Sequence, residues 1–437
     1  MKLYKKVIQP YSEKINFYIA LAIFFVIPIY TWWIPALINL WILTWVIQGN
    51  FKENFKSGKN KYVLFSFLAY FAFTAFSLIW STNLKNGYST VETQLSFVLV
   101  PILFFASNKI YKEKKEWFIY AFVSGTTLSG IFLMGRAFYR AFSISSGKLI
   151  FNPIVDCIWE KRNVFFSSEF SFFIHPTYMS MYVLFALILV LYIYKNFTKK
   201  TIKIILTCLT IFMGIIFIFL SSRSSYILSF ILLIGAFFSF RKKVKLGILS
   251  LIIFFVCVII SLQYMNLGFR GLTINNLNKG EININFVEKI KKGFTFEEIK
   301  KTDPRIDIWN SAFEIIKQNP FFGVGVGDVK NELVKTYTKN GINWAASLKY
   351  GAHNQYLETF IGQGIIGLFM LIAIIVSILY ISFKYKEKLI FLFVFIISFF
   401  IIFESMLNNF AGVIFITIFS TYFCFIYVKK QNSELNL

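Results

Sequence analysis

From one end to the other, the chain alternates long apolar runs with short polar or basic connectors. Runs of roughly 17–25 apolar residues are long enough to cross a bilayer as helices. Twelve are read, at about 16–30, 32–48, 62–80, 93–107, 117–135, 176–194, 204–221, 224–240, 246–263, 355–383, 389–403 and 407–428. The first, fourth and eleventh are short, and Trp32, Trp33 and Pro35 make the first pair a tight hairpin at an interface. The expected fold class is an all-α integral membrane protein of about 12 transmembrane helices with a large helical loop between spans 9 and 10. Three regions follow: spans one to nine over 1–263, an outer helical loop over 264–354, and spans ten to twelve over 355–437 with a cytoplasmic C-terminus. A second long connector covers about 136–175.

The large loop carries a pattern of its own. Pro304 stands at a helix start, and Ile306, Trp309, Phe313 and Ile316 recur at helical spacing. Asn319-Pro320 stops that helix. Gly323-Val324-Gly325-Val326-Gly327-Asp328 predicts a tight turn, with Asp328 capping a second helix that places Val329, Leu333 and Tyr337 on one face and closes at Gly341. The glycine run lacks both the Gly-Lys-Ser/Thr ending of a phosphate loop and the spacing of a dinucleotide loop, so it is read as a turn.

Composition agrees with the pattern. Hydrophobic residues make up 57% and aromatic residues 20%, with a mean hydropathy of +0.65. A water-soluble core of this length cannot hide that much apolar surface, so lipid must solvate most of it. The net charge of +24 comes from short basic clusters between apolar runs, which speaks against nucleic acid as a partner. The four cysteines are scattered: Cys208, Cys257 and Cys424 lie in apolar runs and Cys157 in a polar loop, with no metal-ligand spacing and no disulfide framework. The segment Met1–Lys6 is not followed by a small-residue cleavage site, so the first run is expected to be a retained span.

The basic clusters also orient the chain. Lys2, Lys5, Lys6 and Lys14 precede the first span, and lysine or arginine clusters follow the second, fourth, sixth, eighth, tenth and twelfth. The short odd-numbered connections are nearly free of Lys and Arg, which predicts cytoplasmic N- and C-termini.

On this topology the unusual polar residues gather at the extracytoplasmic side. They are His353 at the outer end of span ten, Arg223 between spans seven and eight, and His175 at the outer end of span six. Arg136 and Arg140 share a face beyond span five, Glu404 ends span eleven, and Arg305 opens a helix of the large loop. Ionisable residues beside a span are costly unless paired or facing water, so each is a functional candidate. Each also has a structural reading. Arg223 can snorkel, Arg136 and Arg140 can anchor at the interface, Glu404 can neutralise an arginine, His175 can cap a helix, and Arg305 can pair with Asp303 or Asp307. Gly362, Gly364 and Gly367 thin one side of span ten, so that another backbone or a ligand can approach. Arginine forks bind phosphate or pyrophosphate and stay charged, while histidine titrates near neutrality and takes a proton from a hydroxyl. The combination suits metal-free, cofactor-free group transfer from a phosphorylated lipid to a hydroxyl.

The pattern His353-Asn354, nine residues, Gly364, two residues, Gly367 resembles the signature of the O-antigen ligase/polymerase superfamily of bacterial envelope proteins. Arg305-Ile306-Asp307-Ile308-Trp309, Asn319-Pro320-Phe321-Phe322-Gly323-Val324-Gly325 and Gly327-Asp328 are similar to its large periplasmic loop, and Ser222-Arg223-Ser224 is similar to its arginine ahead of a membrane span. The resemblance covers about 205–410; the first 200 residues agree only in topology. Where the family often has leucine four residues after that arginine, this chain has Ile227 followed by Leu228.

The resemblance implies a glycosyltransferase of the bacterial inner membrane, acting at the periplasmic face on a glycan carried by undecaprenyl pyrophosphate. It implies that Arg223 and Arg305 hold the pyrophosphate and that His353 activates the acceptor hydroxyl, which attacks the anomeric carbon with inversion. Asn354, Gly364 and Gly367 enter as substrate-binding positions of the motif, and His175, Arg140 and Glu404 on the topology reading. An O-antigen ligase would move the glycan to a lipid A–core hydroxyl; a polymerase would move it to another lipid-linked repeat unit. A flippase or other transporter also fits twelve spans, but predicts ionisable residues at the bilayer midplane and pseudo-symmetric broken helices.

Overall fold

In a computed structural model of the chain, residues 9–49, 51–145, 148–156, 161–239 and 305–428 are described. The expected ninth span, the first part of the large loop, Pro304, Cys157 and Cys257 lie outside them. Among the described residues, eight helices are long and apolar enough to cross a membrane: Thr31–Gln48, Lys61–Trp80, Leu84–Phe105, Glu116–Ala141, Pro176–Asn196, Lys200–Leu220, Gln355–Tyr385 and Phe410–Tyr427. These answer the second to seventh, tenth and twelfth expected spans, and the chain is a multi-pass helical membrane protein. The eighth and eleventh fall on the shorter apolar helices Arg223–Ser239 and Lys388–Phe403, and the first on Gln9–Val26. The short fourth run grows because the polar helix Leu84–Gln94 leads through Leu95 into Ser96–Phe105.

Two compact units divide the chain. The first takes residues 1–23, 32–118 and 295–437. In it, Lys61–Phe76 and Lys388–Phe403 both pack against Gln355–Tyr385, and Ser96–Phe105 packs against Phe410–Thr421. Buried polar groups in these helices must find partners within the protein, because lipid offers none. Asn16 donates to the Trp41 carbonyl at 3.0 Å and to the Thr44 hydroxyl at 2.8 Å, while the Tyr111 hydroxyl donates to Asn16 Oδ1 at 2.7 Å.

Within the region read as a large loop, residues 305–354 form a helical cap packed on Gln355–Tyr385. Helix Arg305–Gln318 ends before Asn319-Pro320, and helix Val329–Lys339 ends ahead of Gly341, whose φ is +70°. Val329, Leu333 and Tyr337 are buried on one face, as their spacing predicts. The stripe of the first helix differs from the expectation. Ile308, Ala312, Ile315 and Ile316 are buried, whereas Phe313 is 49% exposed. The pattern Ile306-Trp309-Phe313 lies one position off the true core line, since large residues dominate a spacing count whichever way they point. Fully burying Leu333 contributes about 2 kcal/mol.

Asp328 gives a second difference. It stands at the N-cap position but makes no side-chain cap bond. Its carboxylate instead accepts from Thr82 N at 2.6 Å, Thr82 Oγ1 at 2.7 Å and Asn83 N at 2.9 Å. Gly327 fits because a Cβ there would stand 2.2 Å from the Asn83 carbonyl oxygen. The turn read from the glycine run is therefore also a clamp onto the connector after Trp80.

The second unit takes residues 24–31 and 119–294. Its long helices are Glu116–Ala141, Pro176–Asn196, Lys200–Leu220 and Arg223–Ser239, of which Pro176–Asn196 packs against both of the last two. Gly125 lets the first of these meet the Phe25 backbone, where a Cβ would be 1.9 Å from the carbonyl oxygen. The connector expected at 136–175 starts as helix, then forms two antiparallel hairpins, Phe142–Ser145 with Lys148–Phe151 and Ile154–Asp156 with Lys161–Asn163. These small ribbons are the departure from a wholly helical fold.

Candidate functional site

The motif helix Gln355–Tyr385 begins at Asn354, whose side-chain oxygen accepts from Leu357 N at 3.1 Å. Asn354 is buried and committed to this cap. One turn on, Glu358 places a buried carboxylate where the helix dipole favours it. Its oxygens accept from Ala352 N at 2.8 Å, Ser405 Oγ at 3.2 Å and Asn408 Nδ2 at 2.8 Å. Gln355 adds a second anchor, accepting from Leu407 N at 2.7 Å. The connectors 350–354 and 404–409 are thereby tied together at the start of the helix.

His353 sits between these anchors with φ of +48°, a conformation that costs a non-glycine residue on the order of 1–3 kcal/mol. The surroundings hold it there. Ala352, just before it, donates its N–H to Glu358 and accepts the Trp309 indole N–H at 3.0 Å. The imidazole is one-third exposed, and its Nδ1 lies 3.7 Å from Glu404 Oε2. The Tyr350 ring stands 5.3 Å from it. Arg305 places its guanidinium 5.7 Å from the centre of the Phe403 ring, one residue before Glu404. His353 thus faces Glu404, and Arg305 lies against the residue just before it. Burial first, and then the nearby Glu358 charge, push the Tyr337 phenol well above its ordinary value.

Gly364 interrupts the helix, with φ +63° and ψ −164°, a conformation that glycine alone adopts readily. The backbone groups released there pair with the cap: Val324 N donates to Ile361 O at 2.8 Å, Gly325 N to Gly362 O at 2.9 Å, and Ile365 N to Pro320 O at 2.8 Å. A Cβ on Gly364 would lie 2.1 Å from the Phe321 carbonyl oxygen, and one on Gly367 would lie 2.2 Å from the Gln363 Cβ. Of the two partners expected for these glycines, the protein's own backbone fills the place beside Gly364.

The second unit holds three more candidates. Arg223 is exposed and opens its helix after Ser221, whose φ is +48°. His175 caps Pro176–Asn196, its Nδ1 accepting from Thr177 N at 3.4 Å. Arg140 pairs with Glu169 at 2.9 Å, and both Arg140 and Arg136 donate to the Glu169 carbonyl oxygen, at 3.1 and 2.9 Å. Arg136 also covers the Phe172 ring at 4.1 Å, and Arg162 lies 3.7 Å from the Glu169 carboxylate. His175 thus has the geometry of a helix cap, and Arg136 and Arg140 are both engaged by Glu169. Among the described residues, no group of three His, Cys, Asp or Glu side chains is placed to hold a metal.

Glu358 is the residue that sequence reasoning passed over. Its signal was visible, a carboxylate in the first turn of an apolar span, where an unpaired charge is costly.

Comparison with known proteins adds an independent line. A 74-residue stretch is 36% identical to a Haemophilus influenzae protein described as uncharacterized, covering 17% of this chain and 18% of that protein. The chain therefore matches less than a fifth of that relative's length. Residues 208–372 match the sequence model of the family described as O-antigen ligase, a stretch that includes Arg223, Arg305, His353 and both motif glycines. Members of that superfamily are glycosyltransferase-like ligases and polymerases. Over residues 208–372, less than half of its length, the chain is similar to the O-antigen ligase family.

Proposed function

We propose that this protein is a ligase that transfers a glycan from undecaprenyl pyrophosphate to a lipid A–core hydroxyl at the periplasmic face of the inner membrane. The observation that carries the reading is the approach of His353 Nδ1 to Glu404 Oε2 at 3.7 Å, with Arg305 over the ring of the adjoining Phe403. A small closure lets Glu404 take the Nδ1–H, fixing the tautomer so that Nε2 is the free base. The acceptor oxygen loses its proton to Nε2 and bonds to the anomeric carbon from the face opposite the leaving group. The bond from that carbon to the phosphate oxygen breaks, and undecaprenyl pyrophosphate departs with the electron pair. Arg305 meets the charge that develops on it. Arg223 is assigned to the same pyrophosphate on the family resemblance, and His175 and Arg140 are assigned to substrate on the topology reading. Gly364 and Gly367 act through shape, fixing the path of the helix below His353. The reaction as drawn uses no metal and no cofactor.

Deletion of the gene followed by analysis of surface glycans tests the reading. Full-length chains stranded on the lipid carrier are expected. Single repeat units attached to the core would make the enzyme a polymerase, and unchanged surface glycans would overturn both. In a complemented strain, His353→Ala is expected to abolish transfer with normal insertion, and Arg223→Lys to lose most of it, because a point charge does not replace the fork. A cysteine at position 330 is expected to label from outside the cell.

A further inference from the structure

A shallow polar groove opens on the cap, lined among others by Asp307, Asn310, Asn340 and Trp344. Asp307 and Asn310 lie one turn apart on helix Arg305–Gln318 and so present side by side. Asn340 follows helix Val329–Lys339, and its amide nitrogen donates to Glu314 Oε2 at 3.0 Å, which fixes the direction of its carbonyl oxygen. Trp344 is 40% exposed, which leaves part of a large ring open to a partner. Its ring stands 5.9 Å from Tyr350, and Tyr350 stands 5.3 Å from His353. One aromatic residue separates the groove from the histidine.

We infer that this groove is a sugar-binding subsite, in which Trp344 takes the apolar face of a pyranose and Asp307, Asn310 and Asn340 take its hydroxyls. A pyranose has an apolar C–H face that lies flat on an aromatic ring. Its neighbouring hydroxyls match the paired acceptors and donors of carboxylates and amides. None of the groove-lining residues is basic, which disfavours a phosphate, and the polar walls disfavour a lipid chain. The inference rests on the proposed function for the role of the sugar, either the acceptor glycan or the first residues of the donor glycan. It does not rest on that function for the binding itself.

The test uses the full-length protein in lipid nanodiscs. The probe is lipid-free oligosaccharide released by mild acid from the organism's own surface polysaccharide, with binding measured by saturation-transfer NMR and titration. Wild-type protein is expected to bind. Trp344→Ala is expected to weaken Kd at least tenfold, Trp344→Phe to restore much of it, and Asp307→Asn with Asn310→Ala to weaken it without touching the ring. His353→Ala is expected to bind like wild type even when transfer is lost, which separates this inference from the proposed function. In transfer assays a raised KM for acceptor assigns the groove to the acceptor, and a raised KM for donor assigns it to the donor. No binding by wild-type protein, or unaltered Kd and KM in both Trp344→Ala and the Asp307/Asn310 variant, overturns the inference.

Discussion

Glu358 accepts the backbone N–H of Ala352 at 2.8 Å, so a buried carboxylate in a membrane helix sets the backbone that carries the neighbouring His353. The same carboxylate holds Ser405 and Asn408, next to Glu404. Both partners of the proposed proton relay therefore hang from one side chain. Glu358→Gln replaces an oxygen that accepts by an amide that donates, leaving at least one of these groups unpaired. Hydrogen bonds to buried charged groups are worth about 1.5–3 kcal/mol. The expected outcome is a lowered melting temperature in nanodiscs and a fall in transfer rate larger than the loss of folded protein explains. Wild-type transfer by Glu358→Gln would remove its positioning role.

Gly364 and Gly367 are expected to respond differently to alanine. At Gly364 both the positive φ and a 2.1 Å approach to the Phe321 backbone oppose a side chain, and backbone cannot swing aside. Gly364→Ala is expected to cost several kcal/mol, on the order of the larger strain and overpacking effects, and to show as poor yield or loss of the cap's protection from protease. At Gly367 the nearest obstacle is the Gln363 Cβ at 2.2 Å, which no rotamer change moves, but φ there is not positive and the backbone adds no strain of its own. Gly367→Ala is expected to lose about 1–3 kcal/mol through overpacking alone, less than Gly364→Ala, and equal behaviour of the two variants would contradict the break at Gly364.

Asp328 ties the cap to Thr82 and Asn83 through three donors. Asp328→Ala leaves those groups without their acceptor, at a cost of about 1–3 kcal/mol for the buried ones. Hydrogen exchange over residues 320–340 is expected to accelerate in this variant. Exchange over the Pro176–Asn196 helix, which the clamp does not touch, is expected to stay at its wild-type rate.

Acid should loosen the cap through Glu314. Hydrogen bonds from Lys339, then from Asn340, lower its carboxyl below the ordinary value of 4.5. A carboxylate whose folded value is depressed stabilises the fold above its unfolded value, and that contribution disappears as pH falls through the folded value. Melting temperatures of wild type and Glu314→Gln are therefore expected to differ near neutrality and to converge as pH falls below 4.5. Parallel curves at all pH values would remove the link.

Much of this architecture could be read from residue order, and the failures have physical causes. Apolar runs located the long helices because lipid demands their length, and the His353-Asn354 motif located the candidate site. Spacing placed Val329, Leu333 and Tyr337 correctly, yet it misassigned Phe313, because a large apolar residue weighs in a spacing count whichever way it points. The break at Gly364 escaped notice since a glycine in an apolar run signals close approach without naming what approaches. Asp328 looked like a cap because its local sequence cannot reveal a partner 246 residues away. Glu358 was hidden by its neighbours, which drew attention as a motif.

That separation of 246 residues has a consequence in time. The anchor for the cap is made early in synthesis and its carboxylate much later, while Gln355 and Glu358 wait for Leu407 and Asn408, about fifty residues further on. During synthesis, His353 is made before the connector that is to hold it exists. Under the proposed function, a half-made chain would be inert toward lipid-linked glycans, and activity would begin only when the last spans arrive.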